Sequence, residues 1–281
     1  MQDTAALQKT KVAAAFGQVA ASFDQGATGR FTYYGRRLVA AANLAPGARV
    51  LDIAAGRGAV LFPAAQQVGP TGSVLGVDLS APMVEATATE IKRRDVSNAR
   101  IEVMDAEQLK APSGGYDAVL CGFGLMFFPH LELALAEFRR VLRPGGVLAV
   151  STWGAPDPRW EWVQPLLRSY GASAADALTV TRLNQPSDVA AVLRQAGWTA
   201  VETRLEETED WYADEKAWWD ELWSSVQRLP LEQLPPAALA ECRAAAHARL
   251  ATLRTNGGLP RRWQAVFGLA INPARSAPGG V

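Results

Sequence analysis

Hydrophobic and polar positions follow one pattern before residue 45 and another after it. In the first part, apolar side chains recur at helical spacing, which predicts amphipathic helices at residues 3–23 and 31–43. Beyond the turn LAPGARV, short apolar runs alternate with amphipathic stretches, as in a parallel sheet with helices on both faces. The runs predict strands at residues 49–54, 73–80, 99–107, 116–124 and 147–153, and the stretches predict helices at residues 82–94 and 131–142.

The pattern changes after residue 153, where several prolines interrupt it. A helix is predicted at residues 186–198, a half-exposed strand at 199–207, two helices at 214–227 and 236–254, and a last strand at 262–271. We therefore expect a core built from two segments, N-terminal helices that cover its site, and a helical lid between the last two strands. The expected bounds are 46–208 and 262–272 for the core, 1–45 for the N-terminal helices and 209–261 for the lid.

Composition and charge narrow the class of protein. The chain has 281 residues, of which 49% are hydrophobic, and a formal net charge of zero. This neutrality gives no electrostatic reason to expect nucleic acid or a membrane surface as a partner. Two cysteines far apart argue against a disulfide framework or a zinc site, so we expect no metal and a reducing, cytoplasmic location. We also expect no signal peptide and no membrane span, and the choice between monomer and homodimer stays open.

An acid lies inside an apolar strand, directly before a turn of small residues. In VLDIAAGRGAV (50–60), Asp52 precedes Ala54, Gly56 and Gly58. Small residues let a ligand approach the backbone, and the helix that follows offers free N–H groups. A carboxylate beneath such a turn repels a pyrophosphate but attracts an ammonium group or hydroxyls. The turn predicts a nucleoside with a cationic tail, and the alternative is a plain strand-to-helix turn with a capping or ion-paired Asp52.

Further acids end the next two strands. Asp78 follows the turn by about twenty residues, the spacing at which an acid accepts hydrogen bonds from ribose hydroxyls. Its alternative role is to cap the next helix, for which Ser80 competes. Asp105 ends the third strand, where a carboxylate can accept a hydrogen bond from an adenine amino group, and Met83 packs either on the ring or in the core. The small residues of CGFG, among them Gly122, bring the fourth strand close to a ligand.

Five stretches together resemble one family, the class I S-adenosylmethionine-dependent methyltransferases. They are VLDIAAGRG, VLGVDLS, VMDAEQL, YDAVLCGFGLMFFPH and FRRVLRPGGVLAVSTW, and they extend from about residue 50 to residue 152. The chain looks most similar to the ubiquinone/menaquinone-biosynthesis type and to its small-molecule relatives in natural-product pathways. The resemblance implies a Rossmann-like α/β fold with seven strands in the order 3-2-1-4-5-7-6, of which strand 7 is antiparallel.

The resemblance also implies which residues bind S-adenosylmethionine and its product, S-adenosylhomocysteine. The methionine end would lie against Asp52 and the turn, and the ribose against Asp78. The side chains of Leu79 and Met83 would flank the adenine, and the remaining residues would meet its amino edge or offer backbone to the methionine. The full implied set is Asp52, Ala54, Gly56, Gly58, Asp78, Leu79, Met83, Asp105, Ala106 and Gly122.

Two places depart from the family pattern. Ala54 stands where the first glycine of G-x-G-x-G is usual, and its methyl group is tolerable at a negative φ but narrows the pocket otherwise. Met126 and Phe127 follow the fourth strand where several relatives carry histidines, so we expect no base there. His247, in the second lid helix, is the remaining catalytic candidate, with a structural or exposed helical histidine as the alternative.

Tryptophans are frequent, with nine in the chain and four between residues 211 and 223. Trp219 and Trp223 are neighbours on one helix face. These rings either pack the lid on the sheet or line the site of an apolar, aromatic or polyketide-like acceptor. The residues expected to contact the acceptor are Tyr33, Phe123, Trp153 and Trp219.

The patterns predict an enzyme that methylates an oxygen or nitrogen atom of a small apolar or aromatic acceptor, mainly by proximity and desolvation. The first alternative is a cyclase that uses the fold and binds S-adenosylmethionine without transferring its methyl group. A nicotinamide oxidoreductase is disfavoured by the altered glycine pattern and by Asp52. A non-enzymatic binding protein is the last alternative.

Overall fold

Seven strands form one sheet in the order β3-β2-β1-β4-β5-β7-β6, and β7 is antiparallel to both of its neighbours. The computed structural model describes residues 4–24, 29–172 and 178–273. The strand order and the antiparallel last strand confirm the expectation from the family resemblance. The strands are β1 (Arg49–Ile53), β2 (Ser73–Asp78), β3 (Ala99–Val103), β4 (Tyr116–Gly122), β5 (Leu142–Trp153), β6 (Thr199–Tyr212) and β7 (Leu259–Ile271).

Ten helices surround the sheet in the described residues. Eight of them coincide with predicted helices or with the helix that the glycine turn was expected to open. The short helices α6 and α9 had no counterpart in the prediction. The helices are α1 (Thr4–Val19), α2 (Arg30–Ala42), α3 (Leu61–Val68), α4 (Ala81–Arg93), α5 (Leu131–Val141), α6 (Val163–Ser169), α7 (Pro186–Gln195), α8 (Glu215–Trp223), α9 (Arg228–Glu232) and α10 (Pro236–Ala251).

Alternate side chains of the central strands face two helical layers. Leu51 and Ile53 belong to the core formed with α5 and α7, whereas Val50 belongs to the core formed with α2 and α3. Since both faces of β1 are covered, its sequence is an almost continuous apolar run. Asp52 shares a face with Val50 because strand side chains alternate, so this acid lies on the α2–α3 side of the sheet.

The stretch RPGG (143–146), which lies between a predicted helix and a predicted strand, is part of β5 in the structure. The pairing of β5 with β4 shifts in register between Tyr116 and Ala118, and Gly145 adopts a φ of 73°. An extra-residue bulge of this kind bends a strand without ending it. Glycine and proline at this place therefore mark a bulge and not a strand boundary.

The last two strands are longer than their sequence pattern indicated. β6 continues to Tyr212 and pairs there with Leu259, the first residue of β7. Opposite charges face each other across this extension, as in the pair Asp210 and Arg261, and such cross-strand pairs stabilise a hairpin. The helical segment between the strands is therefore 213–258, not 209–261.

A cap over the sheet is built from two separate segments, residues 158–172 and 213–258. Their apolar side chains form one core, in which Trp218 is fully buried. Its ring lies 5.8 Å from that of Trp160 and 5.9 Å from that of Trp162, measured between centroids. The proline-interrupted stretch after β5 thus belongs to the cap, a contribution that the sequence prediction missed. Trp218 therefore has a packing role, which was one of the two roles expected for the tryptophan-rich segment.

Among residues 4–24, 29–172 and 178–273, which the structure describes, no helix has both the length and the apolar character needed to cross a membrane. The same ranges contain no group of three or more histidine, cysteine, aspartate or glutamate residues placed to hold a metal ion.

Gly35 lets α2 approach the backbone that leads into α3. A Cβ at this position would lie 2.2 Å from the carbonyl oxygen of Ala59. We expect Gly35→Ala to lower the free energy of unfolding by about 2 kcal/mol, because overpacking outweighs the gain in helix propensity of about 1 kcal/mol. Urea unfolding measures this change. Arg36→Ala, at an exposed position of the same helix, is the control and should change stability by less than about 0.5 kcal/mol; equal stability of both variants would contradict the close packing.

Candidate functional site

A cavity of about 340 Å³ opens at the carboxyl ends of β1, β2 and β4. The helix α1 and the cap cover it. Ligands of open α/β sheets bind at this edge, where the strand order reverses. Most of the residues that the resemblance assigned to the cofactor line this cavity. They are Ala54, Gly56, Asp78, Leu79, Met83, Asp105, Ala106 and Gly122.

The turn after β1 is built from left-handed residues at alternate positions. Ala54, Gly56 and Gly58 have φ values of 53°, 50° and 83°. The N–H of Ala55 donates to the carbonyl of Val77 on β2 at 3.0 Å, which fixes the turn to the neighbouring strand. A Cβ on Gly58 would lie 2.5 Å from the Phe62 ring. Gly58 is therefore needed for packing against α3, and it does not line the cavity.

Ala54 occupies the conformation that the sequence analysis identified as unfavourable. An alanine at positive φ is strained, since its Cβ crowds the backbone. Its methyl group also lies close to the backbone that follows β4. A Cβ added to Gly124 would be only 2.8 Å from this methyl group. Ala54 lines the cavity, so the methyl group narrows the wall at this point.

Asp78 holds the turn and faces the cavity at the same time. Its Oδ2 accepts a hydrogen bond of 2.8 Å from the Gly56 N–H, and its Oδ1 accepts one of 2.9 Å from the Ser80 N–H. Burial raises the pKa of Asp78, although these two backbone donors act in the opposite direction. The Ser80 side chain makes no capping hydrogen bond to α4. Asp78 therefore fixes the turn before α4 and forms part of the cavity wall, while the N-cap position of α4 is occupied by Ser80.

Asp52 is enclosed behind the turn and does not line the cavity. It is 1% exposed, and neither carboxylate oxygen has a hydrogen-bond partner in the described part of the chain. Burial raises its pKa well above the usual value, and the charge of Asp78 raises it further. An opposite charge nearby favours the ionised form of a carboxyl group, and a like charge disfavours it. The two carboxyl groups at this turn therefore fit a ligand with a positive charge and do not fit a diphosphate.

Asp105 lies at the end of β3, where α1 reaches the cavity. Its Oδ2 accepts a hydrogen bond of 2.7 Å from the Lys9 ammonium, and its Oδ1 accepts one of 2.9 Å from the N–H of Glu107. Lys9 also forms an ion pair with the Glu107 carboxylate. Lys9 lines the cavity, although nothing in the sequence beyond its place on an amphipathic helix indicated this.

Aromatic rings form the opposite wall. Phe123 and Trp153 line the cavity and stack at 4.0 Å between ring centroids. Phe31 contacts both rings edge-on. Tyr33, in contrast, is 46% exposed and lies outside the cavity, because the next residue, Tyr34, occupies the buried face of α2. Of the four predicted acceptor contacts, the cavity thus contains Phe123 and Trp153.

Trp219 and His247 do not reach the cavity. They line a separate surface pocket between α8 and α10, where their rings lie 6.2 Å apart. Burial lowers the pKa of His247. We expected Trp219 and His247 to contact a substrate because both lie in the cap. The face of α10 that carries His247 is, however, turned away from the edge of the sheet where the cavity opens. The placement does not support either residue as an acceptor contact or a catalyst.

Four residues at the cap end of the cavity were missed. Arg30 lines the cavity with Glu221, Arg261 and Trp263. A guanidinium N–H of Arg30 donates to Glu221 Oε1 at 2.8 Å, and the Tyr212 hydroxyl donates to the same oxygen at 2.9 Å. The sequence analysis placed Arg261 in the lid, outside the predicted last strand, whereas the structure places Arg261 and Trp263 on one face of β7.

Comparisons with known proteins agree with this geometry. Residues 50–146 match the family model described as a methyltransferase domain. The chain is 32% identical to nocamycin O-methyltransferase of Saccharothrix syringae over 79% of its own length and 84% of that protein. It is 39% identical to aklanonic acid methyltransferase DauC of Streptomyces sp. strain C5 over 54% of its length and 68% of that protein. Its fold resembles that of the YcgJ protein of Bacillus subtilis, with a TM-score of 0.60, 21% identity, and coverage of 86% and 99% of the two chains.

The strain at Ala54 yields a stability prediction. Ala54→Gly should raise the free energy of unfolding by about 1 kcal/mol, because glycine adopts positive φ without a steric penalty. Ala55→Gly is the matched control, since Ala55 has no positive φ, and it should lower stability by about 1 kcal/mol. Chemical unfolding of both variants measures the two effects. A loss of stability in both would contradict the assigned backbone conformation.

The pKa of Asp52 yields a pH prediction. A carboxyl whose pKa is raised in the folded state lowers stability as pH rises above its unfolded value. Asp52→Asn should therefore stabilise the protein, and more at about pH 8 than at about pH 5. Asp117→Asn is the control, and we expect it to change stability in the opposite direction. Hydrogen bonds from the Arg49 N–H and the Arg143 guanidinium outweigh burial and lower the pKa of Asp117, so its loss should destabilise the protein at neutral pH. Equal effects of both substitutions would contradict the burial of Asp52.

Proposed function

We propose the following function, given that the chain belongs to the class I S-adenosylmethionine-dependent methyltransferases. It transfers the methyl group of S-adenosylmethionine to an oxygen or nitrogen atom of a small apolar or aromatic molecule of natural-product type. The observation that carries this proposal is the pairing of a half-buried carboxylate, Asp78, with a glycine turn at the switch point of the sheet.

The chain's own residues suit the nucleoside end of the donor. Asp78 accepts hydrogen bonds from the ribose hydroxyls, and the apolar side chains of Leu79 and Met83 enclose the adenine. Asp105, with the backbone at Ala106, accepts from the adenine amino edge. All five of these positions follow β2 or β3 and line one cavity. The carboxyl groups of Asp52 and Asp78 suit a donor that carries positive charge, because such a charge favours their ionised forms.

The acceptor end is supported by the aromatic wall and by the relatives. When bound, the sulfonium supplies an electrophilic methyl group. Phe123 and Trp153 hold a flat apolar acceptor, and α1 with the cap excludes water from it. No histidine lines this cavity in the described residues, so positioning and desolvation provide the acceleration. Two relatives, named for nocamycin and aklanonic acid, support an acceptor of natural-product type.

Calorimetric titration tests the donor site. The protein should bind S-adenosylmethionine and S-adenosylhomocysteine more tightly than NAD, and Asp78→Ala should weaken both at least about tenfold, since each hydrogen bond to a charged group contributes about 1.5–3 kcal/mol. Asp117→Ala, at the far end of β4, is the control and should leave binding unchanged. Tighter binding of NAD, or no binding of either nucleoside, would contradict the proposal.

Methyl transfer separates the proposal from the cyclase alternative. Incubation with S-adenosylmethionine and aklanonic acid, or another aromatic polyketide acid, should release S-adenosylhomocysteine. Release that depends on the acceptor supports transfer. Tight nucleoside binding, together with conversion of an acceptor that leaves the methyl group on the donor, would favour the cyclase.

A further inference from the structure

Two arginines stack on one tryptophan at the cap end of the cavity. The guanidinium carbon of Arg30 lies 3.7 Å from the centre of the Trp263 ring, and that of Arg261 lies 4.0 Å from it. Arg261 also lies 4.8 Å from the centre of the Trp160 ring. Such stacking fixes the plane of a guanidinium and leaves its N–H groups directed sideways.

The two guanidiniums differ in their charged partners. Arg30 forms an ion pair with Glu221 at 2.8 Å. No carboxylate oxygen lies within 4 Å of Arg261 among the residues that the structure describes. Asp210 faces Arg261 across the β6–β7 pair, but it does not line the cavity. The positive charge of Arg261 is therefore turned toward the cavity without a carboxylate in direct contact.

The surroundings of Arg261 make this arrangement costly in the absence of a ligand. Burial lowers the pKa of Arg261, and the charge of Arg30 lowers it further, while Tyr212 and Glu221 act in the opposite direction. A partly buried cation without a direct counter-ion raises the free energy of the folded state. An anion that enters the cavity would remove this penalty, so the site favours a negatively charged ligand.

We propose that Arg261 binds an anionic oxygen of the acceptor and so selects acceptors with a carboxylate or a comparably acidic enol. The inference rests on the proposed methyl transfer and specifies its acceptor. A planar guanidinium binds a carboxylate through parallel N–H donors, and the stacking on Trp263 holds it ready for this contact. Arg261 is in this account a binding residue that determines specificity.

An anionic acceptor also removes the need for a base. The acceptor oxygen uses a lone pair to form a bond to the methyl carbon, and the carbon–sulfur bond breaks with its electron pair kept by sulfur. One negative and one positive charge are neutralised, and no proton has to be moved. This balance agrees with the sequence, in which Met126 and Phe127 stand at the positions expected for histidines, and with the lining of the cavity by Phe127.

Binding of a matched acid and amide tests the inference. Protein saturated with S-adenosylhomocysteine is titrated with 2-naphthoate and with 2-naphthamide, which differ in charge but hardly in shape. The wild type should bind the acid at least about tenfold more tightly than the amide. Arg261→Met should reduce this ratio to near unity with unchanged binding of S-adenosylhomocysteine, and Arg261→Lys should keep part of it. The control Arg262→Met, at the neighbouring position on the other face of β7, should keep the full ratio.

The outcomes separate this inference from the proposed function. Failure of the wild type to bind S-adenosylhomocysteine contradicts the proposed function itself. If that nucleoside binds, the inference is overturned by equal affinities for acid and amide, by no binding of the acid at millimolar concentration, or by an unchanged preference in Arg261→Met. If Arg261→Met does not fold, a ratio in Arg261→Lys equal to that of the wild type overturns it, and a reduced ratio supports it.

Discussion

The hydrogen bond from the Gly56 N–H to Asp78 joins the turn after β1 to the end of β2, and the cavity depends on it. The turn needs three residues at positive φ, and one of them is an alanine. Behind it lies Asp52, a carboxylate without a hydrogen-bond partner in the described residues. Strain and buried charge at one place are typical of functional sites, where local stability is given up for a preorganised binding surface.

The remaining elements surround this edge of the sheet. The helix α1 reaches the cavity through Lys9, which bridges Asp105 and Glu107. The cap closes the other end through a core of its own, in which tryptophans dominate. Because the cap combines a segment after β5 with one between β6 and β7, its position relative to the sheet is fixed at two points. The cap end of the cavity therefore lies between two separate clusters of apolar side chains, one in the sheet layer and one in the cap.

The sequence predicted the sheet and most of the residues that line the cavity at the ends of β1, β2 and β3, because both follow from short-range patterns. Strand periodicity, the glycine turn and acids at strand ends are local signals, and Asp78 and Asp105 were found through them. The cap end is formed by residues distant in sequence. Arg30 and Arg261 are 231 positions apart along the chain, and no local pattern indicates that both stack on Trp263. His247 and Trp219 were misplaced for the same reason, since residue type alone does not show which face of a helix meets the sheet.

The decisive measurement is a crystal structure of the protein with S-adenosylhomocysteine. We expect the ribose hydroxyls to lie within hydrogen-bond distance of the Asp78 carboxylate, with the adenine between Leu79 and Met83 and its amino group at Asp105. The homocysteine sulfur should then face the aromatic wall at Phe123 and Trp153. A nucleoside bound elsewhere, or one in this cavity with its ribose away from Asp78, would contradict the account.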